Sequence, residues 1–215
     1  MTNDEKIKFL VKKYEKQLDT HDCAEFAQSL LRECGALAFK KVEMLFSKEG
    51  LGELSAYIKP YYTIEDDVVF STDGKELVKY APEKPDAVYE IPPSVEYIEP
   101  EAFKGNEYLT EIVWGKPRGS GNEPFVDCPQ LKTIRTNNIN HLLRYCCSDI
   151  LGSPFINGAD LYIDDTLCET LVLPEDTVYV NPRMFQGCTS IKNVQSSANN
   201  RHIAEAILDI LKQEP

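Results

Sequence analysis

The sequence contains no Cys-X-X-Cys pair, no glycine-rich phosphate loop and no Gly-X-Ser-X-Gly elbow. These absences remove the usual sequence marks of a structural zinc site, a nucleotide-triphosphate site and a serine hydrolase. No apolar run approaches the roughly 20 residues that span a bilayer. The N-terminal stretch MTNDEKIKFLVKKYEKQL lacks the apolar centre of a signal peptide. Histidine occurs only at 21, 141 and 202, and tryptophan only at 114. The seven cysteines, at 23, 34, 128, 146, 147, 168 and 188, are odd in number and show no disulfide-framework spacing. With neither secretion signal nor anchor, the expected location is the cytoplasm, with thiols reduced. GSGNEP (119–124) has two glycines but no strand–turn–helix setting and no following Lys-Ser/Thr, so it reads as a loop.

What is present is acid. The formal charge is −12, from 35 acids and 23 bases. Residues 1–60 hold ten of each, so the whole excess lies in residues 61–215, with 25 acids and 13 bases. Such a shift marks a boundary near residue 60. An acidic body repels a phosphate backbone, so neither nucleic acid nor membrane is expected as partner.

Residues 4–18 place Ile7, Leu10, Val11, Tyr14 and Leu18 on one helical face, with Lys6, Lys8, Lys12, Lys13 and Lys16 around the other. After a break at DTHD, Asp22 reads as an N-cap and Glu25 completes a capping box. Ala27, Leu30, Leu31, Cys34, Leu37, Ala38, Val42 and Leu45 continue a helical stripe to about Phe46, interrupted by Gly35. KEGLG (48–52) stops it, and a short helix is expected over 53–58.

Beyond this hairpin the chain repeats itself. Aligned on Phe103, Phe125 and Phe185, it places Leu109, Leu131 or Ile191 six residues later, and Ile112, Ile134 or Val194 nine later. The third position after Phe is Asn106, Cys128 or Cys188. IPPSVEYIEPEAF (91–103) aligns with LPEDTVYVNPRMF (173–185) without a gap, whereas the middle copy before Phe125 keeps only its second half. Phe103 and Phe125 lie 22 apart, inside the leucine-rich-repeat range of about 20–29 residues. The expected unit is a short strand with alternate residues inward, a proline that ends it, a turn that inserts Phe, and a return through Leu. One unit cannot bury its own apolar side, so units stack and their ends need caps. RHIAEAILDILK supplies one at the C-terminus, with Ile203, Ala206, Ile207 and Ile210 behind an N-cap at Asn199 or Asn200.

The segments IPPSVEYIEPEAFKGNEYLTEI, PFVDCPQLKTI and LVLPEDTVYVNPRMFQGCTSI resemble the BspA-type leucine-rich repeat family of bacteria. DDVVFSTDGKELVKYAP (66–82), with Asp73-Gly74 as its tight turn, is similar to that family's opening hairpin. SPFINGADLYIDDTLCETLVLP (153–174) is similar to its inserted hairpin. The resemblance covers roughly residues 64–196. Asn106 stands where the family has Cys and Thr177 where it has an apolar residue, which should loosen the core locally. The implied architecture is α+β: a short leucine-rich-repeat β-solenoid capped by an N-terminal helical hairpin and a C-terminal helix. The expected division is 1–60 as a helical cap or module, 61–198 as the solenoid and 199–215 as the capping helix.

Candidate chemistry is sparse. His141 with Cys146, or His21 with Cys23, lacks an orienting acid. Asp66-Asp67 and Asp164-Asp165 lack the alternating oxygen ligands of a calcium loop and read as turns. Cys128 and Cys188 occupy repeat positions that the family fills with buried Cys. Trp114 falls at a strand end and reads as packed. No catalytic residue, cofactor or metal is expected. Alternation instead leaves Val88, Glu90, Glu111, Val113, Thr133, Arg135, Thr170, Val172, Asn193 and Gln195 pointing away from the core. The leading expectation is a non-enzymatic module that binds a protein partner through this face. Three alternatives stay open: a surface adhesin for host protein or carbohydrate, which the resemblance implies; an acidic inhibitor of a basic toxin or nuclease; and an enzyme whose site the sequence does not advertise.

Overall fold

The computed structural model describes residues 3–14, 20–48, 54–144, 146–147 and 153–213. They form two compact units that divide between Lys84 and Pro85.

In the first unit, helix α1 (Asn3–Tyr14) packs on α2 (Thr20–Lys48), followed by α3 (Ser55–Ile58). Strands β1 (Tyr62–Glu65), β2 (Val68–Ser71) and β3 (Glu76–Tyr80) make an antiparallel meander. The strands group with the helices because Val69 and Val78 join Phe26, Leu30, Leu31 and Phe39 in one buried cluster. Helix α2 kinks at Gly35 (φ 81°, ψ 179°), where an added Cβ would meet the Ala81 Cα at 3.2 Å. The apolar stripe is shorter than its spacing suggests, since Leu45 is 60% exposed. The helix starts at Thr20, two residues before the expected cap. The side chains of Leu10, Val11, Tyr14, His21, Asp22 and Phe46, and all of Lys16, Leu18 and residues 49–53, lie outside the described residues. Asp66 and Asp67 both adopt positive φ (47° and 61°) in the β1–β2 turn, a conformation that aspartate tolerates.

The second unit is a β-solenoid of about five turns. Its first ladder is parallel and in register: β4 (Val88–Glu90), β6 (Glu111–Val113), β8 (Thr133–Thr136) and β10 (Asp160–Ile163). Strand β11 (Thr166–Leu167) folds back antiparallel on β10 and ends that sheet. A second ladder joins β5 (Tyr97–Ile98), β7 (Gly119–Ser120) and β9 (Cys146–Cys147). Strands β12 (Thr170–Val172) and β13 (Asn193–Gln195) pair in parallel as a separate sheet. A five-residue helix, α4 (Ile139–Leu143), lies between β8 and β9.

Between the ladders the repeated residues build the core. Ile112, Ile134, Leu161 and Leu171 are fully buried, as are Phe103, Phe125, Phe155 and Phe185. The rings stack in pairs, Phe103 on Phe125 with centroids 4.8 Å apart and Phe155 on Phe185 at 6.1 Å. Two residues after Phe the backbone turns left-handed: Gly105 (φ 77°), Asp127 (φ 56°) and Gly187 (φ 84°). That conformation explains the recurrent glycine. Asn106 does not loosen the core. It is fully buried, and its Oδ1 accepts from the Tyr108 and Leu109 amides at 3.0 and 2.8 Å.

Two expectations change here. Residues 119–124 are not all loop: Gly119–Ser120 form β7, so the second turn has both of its strands. An added Cβ at Gly121 would lie 2.2 Å from the Pro100 ring, so only glycine fits the close approach. At the C-terminus, α5 (Arg201–Leu211) packs on β13 and the 3₁₀ turn Pro182–Phe185, burying Ile203, Ala204 and Ile207. Asn200 precedes it, but its side chain makes no cap bond. It accepts from the Ser197 amide at 2.9 Å and donates to the Pro174 carbonyl at 2.7 Å.

Candidate functional site

The parallel register sorts the outward residues into two rows. Val88, Glu111, Thr133 and Asp160 stand side by side, and so do Glu90, Val113, Arg135 and Tyr162. Val88 and Glu90, on the edge strand, are exposed, and the six others are half-buried. Thr170, Val172, Asn193 and Gln195 point outward on the separate β12–β13 sheet, where Thr170 pairs with Asn193 and Val172 with Gln195. The ten expected residues therefore fall into one patch of six and another of four. Asp160 and Tyr162 complete the larger patch. The Phe spacing does not reveal them, because Leu161 enters its strand six residues after Phe155 rather than nine.

Arg135 organises the larger patch. Its Nε donates to Glu111 Oε1 at 2.6 Å and a second nitrogen to Oε2 at 3.2 Å, a bidentate clamp across adjacent strands. Its third nitrogen donates to the Asp164 carbonyl and to Asp165 Oδ1, each at 3.0 Å. The guanidinium also lies 5.1 Å from the centre of the Tyr162 ring. The bond to Glu111 holds Arg135 above its ordinary pKa, so it stays cationic. Thr189 Oγ1 donates to Asp160 Oδ1 at 2.6 Å, and Lys192 pairs with Glu169 beside the smaller patch.

Three of the described thiols are shifted away from nucleophilic chemistry. Burial pushes Cys34 and Cys168 up to about 11 and raises Cys188, whereas a nucleophilic cysteine needs the opposite shift. Cys128 donates to the Phe103 carbonyl at 3.0 Å. The side chains of Cys146 and Cys147 lie outside the described residues. Asp164 is a turn residue with φ 53°. Among the described residues no three His, Cys, Asp or Glu side chains gather to hold a metal, and no helix is long and apolar enough to cross a membrane. Trp114 is packed at 2% exposure, its ring tilted against Phe125 at 6.4 Å.

The family model for the BspA type leucine rich repeat region matches residues 87–150 and 160–210, in six copies. The chain belongs to the BspA-type leucine-rich repeat family. The matched residues hold strands β4 to β13, the anchors Phe103, Phe125 and Phe185, and all of α5 but its last residue. Among solved structures the chain is similar to the pneumococcal vaccine antigen PcpA, at 18% identity and a TM-score of 0.40, covering 65% of this chain and 31% of that one. It is also similar to a leucine rich cell surface protein from Faecalibacterium prausnitzii, at 19% identity and a TM-score of 0.40, covering 68% and 42%. A leucine-rich repeat protein from Eubacterium ventriosum matches at 19% identity and a TM-score of 0.37, covering 63% and 39%. The chain spans less than half the length of each. No curated protein matches.

Proposed function

We propose that the chain is a non-enzymatic module whose BspA-type repeats bind a protein partner on the outward strand rows, centred on Val113, Arg135 and Tyr162. One observation carries this reading. The rows mix apolar and charged side chains that the core does not use, and the Glu111–Arg135–Asp165 clamp ties down the long side chains of Glu111 and Arg135 among them. A face whose long side chains are already ordered loses less entropy on binding than a mobile one. Arg135 acts chiefly as the clamp, leaving Val88, Glu90, Val113 and Tyr162 as the direct contacts. We assign this binding to the cytoplasm, because Cys168 and Cys188 are buried free thiols, which fit a reducing compartment.

A photo-crosslinking residue at position 88 tests the reading, with one at position 178 as control. Val88 is 53% exposed on the rows, and Val178 is 90% exposed outside them. In extract of the source cells, position 88 should give an adduct of discrete mass that Tyr162→Ala abolishes. Equal labelling from position 178, or no adduct from position 88, counts against the proposal.

A further inference from the structure

Strand β13 is an edge. Among the described residues it pairs with β12 and with no other strand. The Asn193 amide donates to the Glu169 carbonyl at 3.2 Å, and the Gln195 carbonyl accepts from the Leu173 amide at 2.9 Å. Asn193 and Gln195 thus turn their backbone groups towards β12, and Val194 between them turns its amide and carbonyl the other way. Its side chain is uncovered as well. Ile112, Ile134, Leu161 and Leu171 hold the corresponding inward position and are fully buried, whereas Val194 is half-buried.

A groove of about 590 Å³ runs between this edge and one face of α5, where Val194, Ala198, Arg201, Ala204, Glu205 and Leu208 line it. Positions 201, 204, 205 and 208 share that helix face. Ala198 is exposed and Leu208 half-buried. Arg201 and Glu205 are exposed, and among the described residues neither side chain has a partner. The charges around them are already matched, Lys192 by Glu169 and Lys212 by Asp209. Over residues 186–213 the chain holds three bases, Lys192, Arg201 and Lys212, and two acids, Glu205 and Asp209. Two such ends approach without the repulsion that a net charge of −12 brings elsewhere.

We propose that this end of the solenoid binds a second copy of the chain around a two-fold axis through the groove. A two-fold interface is self-complementary: if residue i of one copy meets residue j of the other, j also meets i. Arg201 and Glu205 carry opposite charge one helical turn apart, so the axis sets each arginine against the other copy's glutamate. The same axis brings the two Val194 residues together and covers Ala198 and Leu208. An extended peptide fits less well, because its affinity rests on a run of main-chain bonds and this edge offers one outward residue. A second copy meets that residue with its own. The interface is separate from the strand rows that Arg135 organises.

Sedimentation equilibrium of the whole protein from about 1 to about 300 µM, where small interfaces assemble, tests this. The mass is expected to rise from 24.4 kDa towards twice that value. Arg201→Glu and Glu205→Arg each set like charges together twice per dimer, and each should weaken association at least tenfold. Glutamate suits the first turn of a helix, so Arg201→Glu leaves α5 intact. An equimolar mixture of the two variants should associate again, because every contact then joins opposite charges. The double variant R201E/E205R should do so alone. Glu107→Arg, at an exposed position between Phe103 and β6, should associate as the parent does. The inference is overturned if the parent stays monomeric throughout, if either single variant associates as the parent does, if neither the mixture nor the double variant recovers the dimer, or if Glu107→Arg weakens association as much as the groove variants do.

Discussion

Asp73 shows how one exposed side chain shapes a turn. Its Oδ1 accepts from Ser71 Oγ at 2.7 Å and from the Lys75 amide at 3.1 Å, while Gly74 takes φ 70°. The bond from Ser71, then that from Lys75, holds its carboxyl below the ordinary 3.8. A depressed carboxylate stabilises the fold above its unfolded pKa and loses that contribution as pH falls through the folded one. The urea midpoint of Asp73→Asn should therefore lie below the parent's at pH 7, and the gap should close below about pH 3.8. A gap that stays constant to pH 2.5 would remove the ionic part of this account. Phe125 works through bulk instead. It is fully buried, stacked on Phe103 and tilted against Trp114. Phe125→Ala should cost about 3–5 kcal/mol, read from chemical denaturation, because it opens a cavity between two turns.

At the scale of the element, the residue two after each Phe governs whether the turn closes. Gly105 and Gly187 share the left-handed conformation, but their surroundings differ. A Cβ at Gly105 would have no atom within 4 Å, whereas one at Gly187 would lie 2.2 Å from the Phe155 carbonyl oxygen. Asp127 holds the same place in the middle turn with φ 56°. Gly105→Asn should cost under about 1 kcal/mol, since asparagine tolerates this region. Gly187→Asn should cost several times more, because backbone must move. Equal losses in urea midpoint would mean that conformation, not contact, decides both sites. The Phe–Leu–Ile spacing was legible in the sequence because the core demands it at every turn. The Asp160–Ile163 strand was read as one arm of a hairpin, but its place in the parallel ladder beside β8 was not, because its turn is three residues shorter between Phe and strand. Nor was β7, whose two residues carry no periodicity and rely on partners on either side. The outward residues of β4, β6 and β8 could be named from alternation alone, but the hold of Asp165 on Arg135 needed the hairpin's place in space.

Across the whole molecule, Cys23, Cys34, Cys128, Cys168 and Cys188 are buried. With Cys34 and Cys168 raised to about 11, little thiolate forms near pH 8. Alkylation of the native protein, mapped by peptide mass, should leave Cys34, Cys128 and Cys168 unmodified until denaturant is added. Rapid native labelling of any of the three would show that its turn opens readily. The unit from Pro85 onward is held chiefly by contacts between successive turns, so its stability should follow the sum of those neighbours rather than one centre. The β10–β11 hairpin has a particular effect in such an array. It fills the free edge of β10, so the next turn begins a new sheet. The array thus has a built-in joint. Whole turns could be gained or lost on one side of Thr166–Leu167 without shifting the strand register on the other, which lets length and recognition surface vary independently within one chain.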